Sequence, residues 1–130
     1  MPSAPRPTDA ELEVLRVIWD LGPSTVRQIH EVLEAAKPRG YTTILKTIQI
    51  MTDKGLLVRD ASTRSHVYRA RWPEQRTKRQ LVQDLVARAF DGSVGELMLQ
   101  ALGTARPSDD QLDALEALIA EKRRRRDGGR

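Results

Sequence analysis

At 130 residues, with 39% hydrophobic and 31% charged side chains, the chain has the makeup of a soluble globular protein, one ordinary domain or two very small ones. It contains no cysteine, which excludes disulfides, thiolate metal sites and cysteine nucleophiles, and no apolar run near the roughly 20 residues that span a bilayer. The net charge of +4 is unevenly spread: residues 1–73 carry 11 Lys and Arg against 8 Asp and Glu, residues 74–121 carry 5 against 9, and residues 122–130 carry 6 against 1.

The elements read in chain order. Thr8-Asp9-Ala10-Glu11 is a capping box opening a first helix, whose buried face is marked by Leu12, Val14, Leu15, Ile18 and Trp19. Gly22-Pro23 stops it, and Ser24 is expected to cap a second helix with Val26, Ile29, His30, Val32 and Leu33 along one side. Pro38-Arg39-Gly40 breaks the chain again. A third helix is expected over 41–54, apolar at Ile44, Leu45, Ile48 and Met51, with Thr42, Lys46, Gln49 and Asp53 on its other face. Gly55 suits a left-handed stop. Leu57-Val58-Arg59 and His66–Ala70 are β-compatible runs around a polar stretch at 60–65, so they read as a hairpin.

Trp72-Pro73 marks a boundary, and the remainder of the chain reads as all helical. Arg76 to Phe90 carries Leu81, Leu85, Val86 and Phe90, and a second capping box at Ser93 opens a helix with Leu97, Met98, Ala101 and Leu102. Gly103 to Pro107 is expected to be a linker. Ser108-Asp109-Asp110-Gln111 caps a last helix with a seam of Leu112, Leu115, Leu118 and Ile119. Lys122–Arg126 at its far end suits the helix dipole and reads as a solubilising helix end, with a non-specific phosphate contact or an unstructured tail as the alternatives. Three short helices cannot bury these faces among themselves. A homodimer is the economical supply of the missing surface, so Leu81, Leu85, Phe90, Leu97, Leu112, Leu115 and Ile119 are assigned to a subunit contact. The domains expected are therefore 1–73 and 74–130.

Three helices and then a two-stranded hairpin is the order of a winged helix-turn-helix, in which the third helix enters the major groove of DNA. The fold class expected is mainly α with a small β-hairpin, followed by a helical dimerisation region. Thr42 and Thr43 can bond phosphates or bases, Lys46 can reach guanine or phosphate, and Gln49 can pair with adenine. Tyr41 stands where free helix N–H groups favour an anion, and Arg64 stands at the wing tip. Aromatic residues are only 4%, too few for a reader of single strands by base stacking.

Glu11–Trp19 (ELEVLRVIW), Thr42–Leu57 (TTILKTIQIMTDKGLL) and His66–Ala70 (HVYRA) together resemble the penicillinase and methicillin-resistance repressor family, over about residues 7–122. The resemblance implies a dimeric winged-helix repressor on a palindromic operator. It places recognition contacts at Thr42, Thr43, Leu45, Lys46 and Ile50; the apolar Leu45 and Ile50 depart from the family's pattern, and thymine methyls are what they could touch. Repressors of antibiotic resistance in this family are released by cleavage at an Asn–Phe bond, and Gln100–Ala101 stands at the matching place. Copper-responsive relatives carry a C-terminal cysteine cluster that this chain lacks.

No enzyme motif is present. His30 and His66 are the only histidines; no Asp or Glu is expected at the near spacing that would complete a ligand set with either, and both read as structural. Gly-rich phosphate loops and nucleophile motifs are missing, and Asp109-Asp110 is explained by capping. The expected partners are double-stranded DNA and a second copy of the chain, with no cofactor, no metal, no membrane, and a cytoplasmic location. The alternatives are a winged-helix protein-interaction module or a regulator that responds to a small molecule.

Overall fold

A computed structural model describes residues 5–128; Met1–Ala4 of the leading stretch, and Gly129 and Arg130 of the basic tail, lie outside the described residues. The elements are α1 (Asp9–Leu21), β1 (Ser24–Thr25), α2 (Val26–Ala36), α3 (Tyr41–Lys54), β2 (Leu57–Asp60), β3 (Val67–Ala70), α4 (Glu74–Ala89), α5 (Val94–Thr104) and α6 (Asp109–Gly128). They fall into two compact units, 1–84 and 85–130. The architecture is mainly α with a small antiparallel sheet, the expected winged-helix class.

In the first unit, the Thr8 hydroxyl accepts the Glu11 N–H at 3.2 Å while Glu11 Oε1 accepts the Thr8 N–H at 2.9 Å, the reciprocal cap expected for α1. Helix α2 departs from expectation by one residue. Its cap is Thr25, paired with Gln28 in the same reciprocal way at 3.2 and 2.8 Å. Ser24 is buried instead in a short strand, its hydroxyl donating to the Gly22 carbonyl at 2.8 Å. That strand completes a sheet of order β1-β3-β2, with Ser24 opposite Tyr68 and Leu57 opposite Ala70. The hairpin is thereby tied to the entry of α2. His66, expected to start a strand, lies just outside β3, and β2 extends to Asp60.

Val14, Leu15, Val17, Ile18, Ile29, Leu33, Ile44, Ile48, Met51, Leu57 and Tyr68 form one buried cluster drawn from α1, α2, α3 and the sheet. Leu12 is only half-buried and Val32 is exposed, so the apolar stripes of α1 and α2 are each narrower than their composition suggests. Gly55 ends α3 at φ +84°, a left-handed conformation that a side chain would strain. The Leu56 N–H then reaches back to the Met51 carbonyl at 2.9 Å, closing the helix end.

The compact units divide inside α4, between Asp84 and Leu85, although the Trp-Pro signal stands at the helix start. The first turns of α4 belong with the first unit because Thr77 is buried there, the Arg76 guanidinium lies 4.0 Å from the centroid of Trp72, and the Lys78 ammonium lies 5.5 Å from that of Trp19.

In the second unit the Ser93 hydroxyl caps α5 through the Glu96 N–H at 3.1 Å, and Ser108 with Gln111 forms a reciprocal cap for α6 at 3.2 and 3.0 Å. Helix α5 runs through Gly103 and Thr104, the expected opening of the linker; the Thr104 hydroxyl donates to the Gln100 carbonyl at 3.1 Å and helps hold the last turn. Val86 is the one buried side chain described in this unit, at 9% exposure. No helix among the described residues is long and apolar enough to cross a membrane.

Candidate nucleic-acid interface

Helix α3 owes its orientation to its own sequence. Ile44, Ile48 and Met51, at i, i+4 and i+7, are buried and fix one side of the helix in the core. The opposite side then has to face outward, and Thr42, Lys46, Gln49 and Asp53 are all exposed, joined by Tyr41, Thr43 and Ile50. Leu45 is half-buried and packs against the core cluster, which leaves it a partial share of the outer surface. Thr47 spends its hydroxyl on the Thr43 carbonyl at 3.0 Å.

Both ends of this helix are braced. Gly40 caps it without a side chain, so the first amides of α3 are left for solvent or an anion. The preceding turn is held by Arg39, whose guanidinium meets Glu13 of α1 at 2.7 Å. His30 Nε2 stands 2.8 Å from the Arg39 carbonyl oxygen and 2.7 Å from Glu34 Oε2; with two acceptors against one nitrogen, that nitrogen carries the proton. The His30 ring also meets Tyr41 edge to face at 5.5 Å. At the far end the Lys54 ammonium reaches both oxygens of Glu11, at 2.7 and 2.9 Å.

Glu11 is only 4% exposed, and this pairing sets its chemistry. Burial pushes its carboxyl up, but the hydrogen bonds from Lys54 and the Thr8 backbone, with the Lys54 charge, outweigh it and hold the group below the ordinary glutamate value. Glu13 is likewise held low, chiefly by the hydrogen bond from Arg39. A helix pinned at each end by an ion pair to α1 presents its outer face in one orientation, which a reader of base edges requires.

The loop from 60 to 65 is exposed throughout. Asp60 accepts the Ser62 N–H at 2.9 Å, and the Thr63 hydroxyl donates to the Ser65 carbonyl, so the loop is folded on itself with Arg64 at its tip, exposed. Asp60 is held below its usual value by its hydrogen bonds from Ser62, from the hydroxyl first and then the backbone.

Between α3 and the wing strands runs an open groove of about 440 Å³, lined by Gln49, Asp53, Arg59, Tyr68 and Arg71. Sequence reasoning does not single out Arg59 or Arg71, since the first sits inside a β-compatible run and the second just beyond one. Arg59 comes third in a run that opens with the buried Leu57, and period-2 alternation is the signal that places it on the α3 side. Against the expectation that neither histidine has a carboxylate at near spacing, Glu34 stands at i, i+4 from His30 and meets it at 2.7 Å. No cluster of three or more potential metal ligands occurs among the described residues.

The residues assigned to a subunit contact are dispersed over both units. Leu81 is half-buried in the first. In the second, Phe90, Leu97 and Leu115 are half-buried, while Leu85, Leu112 and Ile119 are exposed. Leu99, outside that set, is the most exposed of the large apolar residues at 74%.

Comparison with known proteins gives a consistent picture. The penicillinase repressor family model matches residues 7–121. The chain is 31% identical over 114 residues to the transcriptional regulator BlaI of Mycobacterium tuberculosis, covering 87% of this chain and 82% of that one. The solution structure of monomeric Bacillus licheniformis BlaI in complex with the blaP half-operator is similar at a TM-score of 0.52 and 28% identity, over 58% of this chain and 93% of the other. The solution structure of the DNA-binding domain of the repressor BlaI is similar to the same extent of each chain, with a TM-score of 0.51 and 28% identity.

Proposed function

The chain belongs to the penicillinase repressor family, whose members are transcriptional repressors and not enzymes, and from that premise we propose that it acts as a homodimer on a palindromic operator. Helix α3 enters the major groove, and the 60–65 loop rests on the flanking backbone. The observation that carries this reading is the outward face of α3: Thr42, Lys46 and Gln49 stand exposed on a helix whose back is locked into the core. Thr42, Thr43 and Lys46 meet phosphates and base edges, Gln49 meets adenine, and Tyr41 meets a phosphate near the uncapped helix start. Ile50, 42% exposed, offers contact to a thymine methyl, and the half-buried Leu45 offers its exposed part to another. Arg64 on the wing, with Arg59 and Arg71 along the groove, supplies phosphate contacts.

The second copy completes the molecule. Leu85, Leu112 and Ile119, with the half-buried Phe90, Leu97 and Leu115, form apolar surface that a subunit contact covers, with Leu81 contributing from α4. Two half-site contacts, each weak alone, then act jointly. Release by cleavage at Gln100–Ala101 requires α5 to open first, because that bond lies inside the helix although both residues are exposed.

A footprint on the regulatory DNA tests the proposal. Protection of two half-sites related by two-fold symmetry is the expected result, and protection of a single asymmetric site, or none, contradicts it.

A further inference from the structure

Helix α6 has its charges sorted along its length. Asp109, Asp110, Asp113, Glu116 and Glu121 occupy its first thirteen positions with no basic residue among them, and five basic residues follow without interruption from Lys122 to Arg126. Successive residues of an α-helix turn by about 100°, so five in a row encircle the axis and form a collar roughly 6 Å deep. All five are exposed. Arg125 pairs with Glu121 at 3.0 Å and Arg126 lies 3.8 Å from Asp127, whereas Lys122, Arg123 and Arg124 have no acidic partner among the described residues. Arg125 and Arg126 already stand in the last turn and answer the helix dipole, so the other three cations exceed what the helix end needs.

The collar also lacks what a protein interface uses. The apolar seam stops at Ile119, and no aromatic or aliphatic anchor stands among the five cations. Protein contacts draw their energy from such anchors, whereas a polyphosphate backbone is held by cations alone through release of its counterions.

We infer that the Lys122–Arg126 collar is a second, sequence-independent contact for the phosphate backbone of duplex DNA, separate from α3 and the wing. The inference rests on the DNA-binding reading above but adds a distinct function. Because the collar reads no bases, it strengthens binding to operator and to unrelated duplex alike, and it holds the repressor on DNA while α3 samples sequence.

The test compares the full chain with a K122Q/R123Q/R124Q variant, glutamine keeping helix propensity while removing charge. Affinity for an operator duplex and for a random-sequence duplex is measured across a salt series, and mass is followed by sedimentation. The expected result is a log-affinity against log-salt slope shallower by about 2 to 3 for the variant on both duplexes, from roughly 0.9 per lost phosphate contact. The ratio of operator to random affinity and the mass should stay unchanged. Equal slopes overturn the inference. So does a variant that falls to half the mass, since the collar then pairs with the acidic stretch of a second copy. A parent chain with no preference for operator, whose variant still shows the shallower slope, fails the operator reading and leaves the collar standing.

Discussion

The two units of this chain solve the burial problem in opposite ways. The first wraps α1, α2, α3 and a three-stranded sheet around one cluster in which Val14, Ile29, Ile48 and Met51 are wholly enclosed. The second encloses little: Val94 and Leu99 are 54% and 74% exposed, and neither the apolar α5 nor the more polar α6 buries a single residue. The lesson is that apolar patterning states how much surface must be covered without stating by what. In the first unit four elements converge, so the cover is internal. In the second the helices leave large apolar side chains exposed, and covering each of them is worth on the order of 1 kcal/mol or more, which is what the proposed subunit contact supplies.

The contrast breaks most sharply at the seam of α6. Leu115→Glu or Ile119→Glu should yield monomers by sedimentation and lower operator affinity by about 10² to 10⁴, the advantage that linking two half-site contacts confers. An unchanged mass would show that the seam is satisfied within one chain. Next in size, Ile29→Ala should cost the first unit about 2–5 kcal/mol in chemical denaturation, because a fully enclosed side chain leaves a cavity. That loss should not depend on protein concentration, whereas the cost of Leu115→Ala should be small at low concentration and grow as concentration rises through the dissociation constant of the parent dimer. A concentration-dependent Ile29→Ala effect would erase the distinction between the units.

Smaller effects sharpen the picture of the first unit's outer face. Lys46→Ala should weaken operator binding by about 1–3 kcal/mol with no loss of thermal stability, since the residue is exposed and unburdened by packing. Equal affinity would remove it from the contacts. The smallest expected effect concerns pH. Glu11 is held below its ordinary value of 4.5, so its contribution to stability is full above that value and is lost as pH falls through the lowered folded value. A Glu11→Gln variant should therefore start less stable at neutral pH and show a flatter decline on acidification to about pH 3 than the parent chain. Parallel acid limbs for the two would show that the Glu11–Lys54 pair does not couple folding to protons.

Much of the first unit is legible in the sequence because its signals are local. The Thr8–Glu11 box, the Gly55 stop and the i, i+4, i+7 spacing of Ile44, Ile48 and Met51 each act within one helix, and each is present in the fold. The departures are long-range. Ser24 resembles a cap because serine caps helices, but pairing with Tyr68, far along the chain, draws it into a strand and passes the cap to Thr25. The Arg39–Glu13 and Lys54–Glu11 bridges span 26 and 43 residues, beyond anything spacing within a helix can announce. At the candidate site the outward side of α3 follows from its periodicity, whereas Arg59 and Arg71 enter the groove only once the hairpin is folded beside α3.

Amide chemical-shift mapping of the full chain during titration with an operator duplex tests the central claim most directly. The largest changes should fall at Tyr41, Thr42, Thr43, Lys46 and Gln49, with a second group in the 60–65 loop. Changes confined to α1 and α2, with α3 silent, would contradict it.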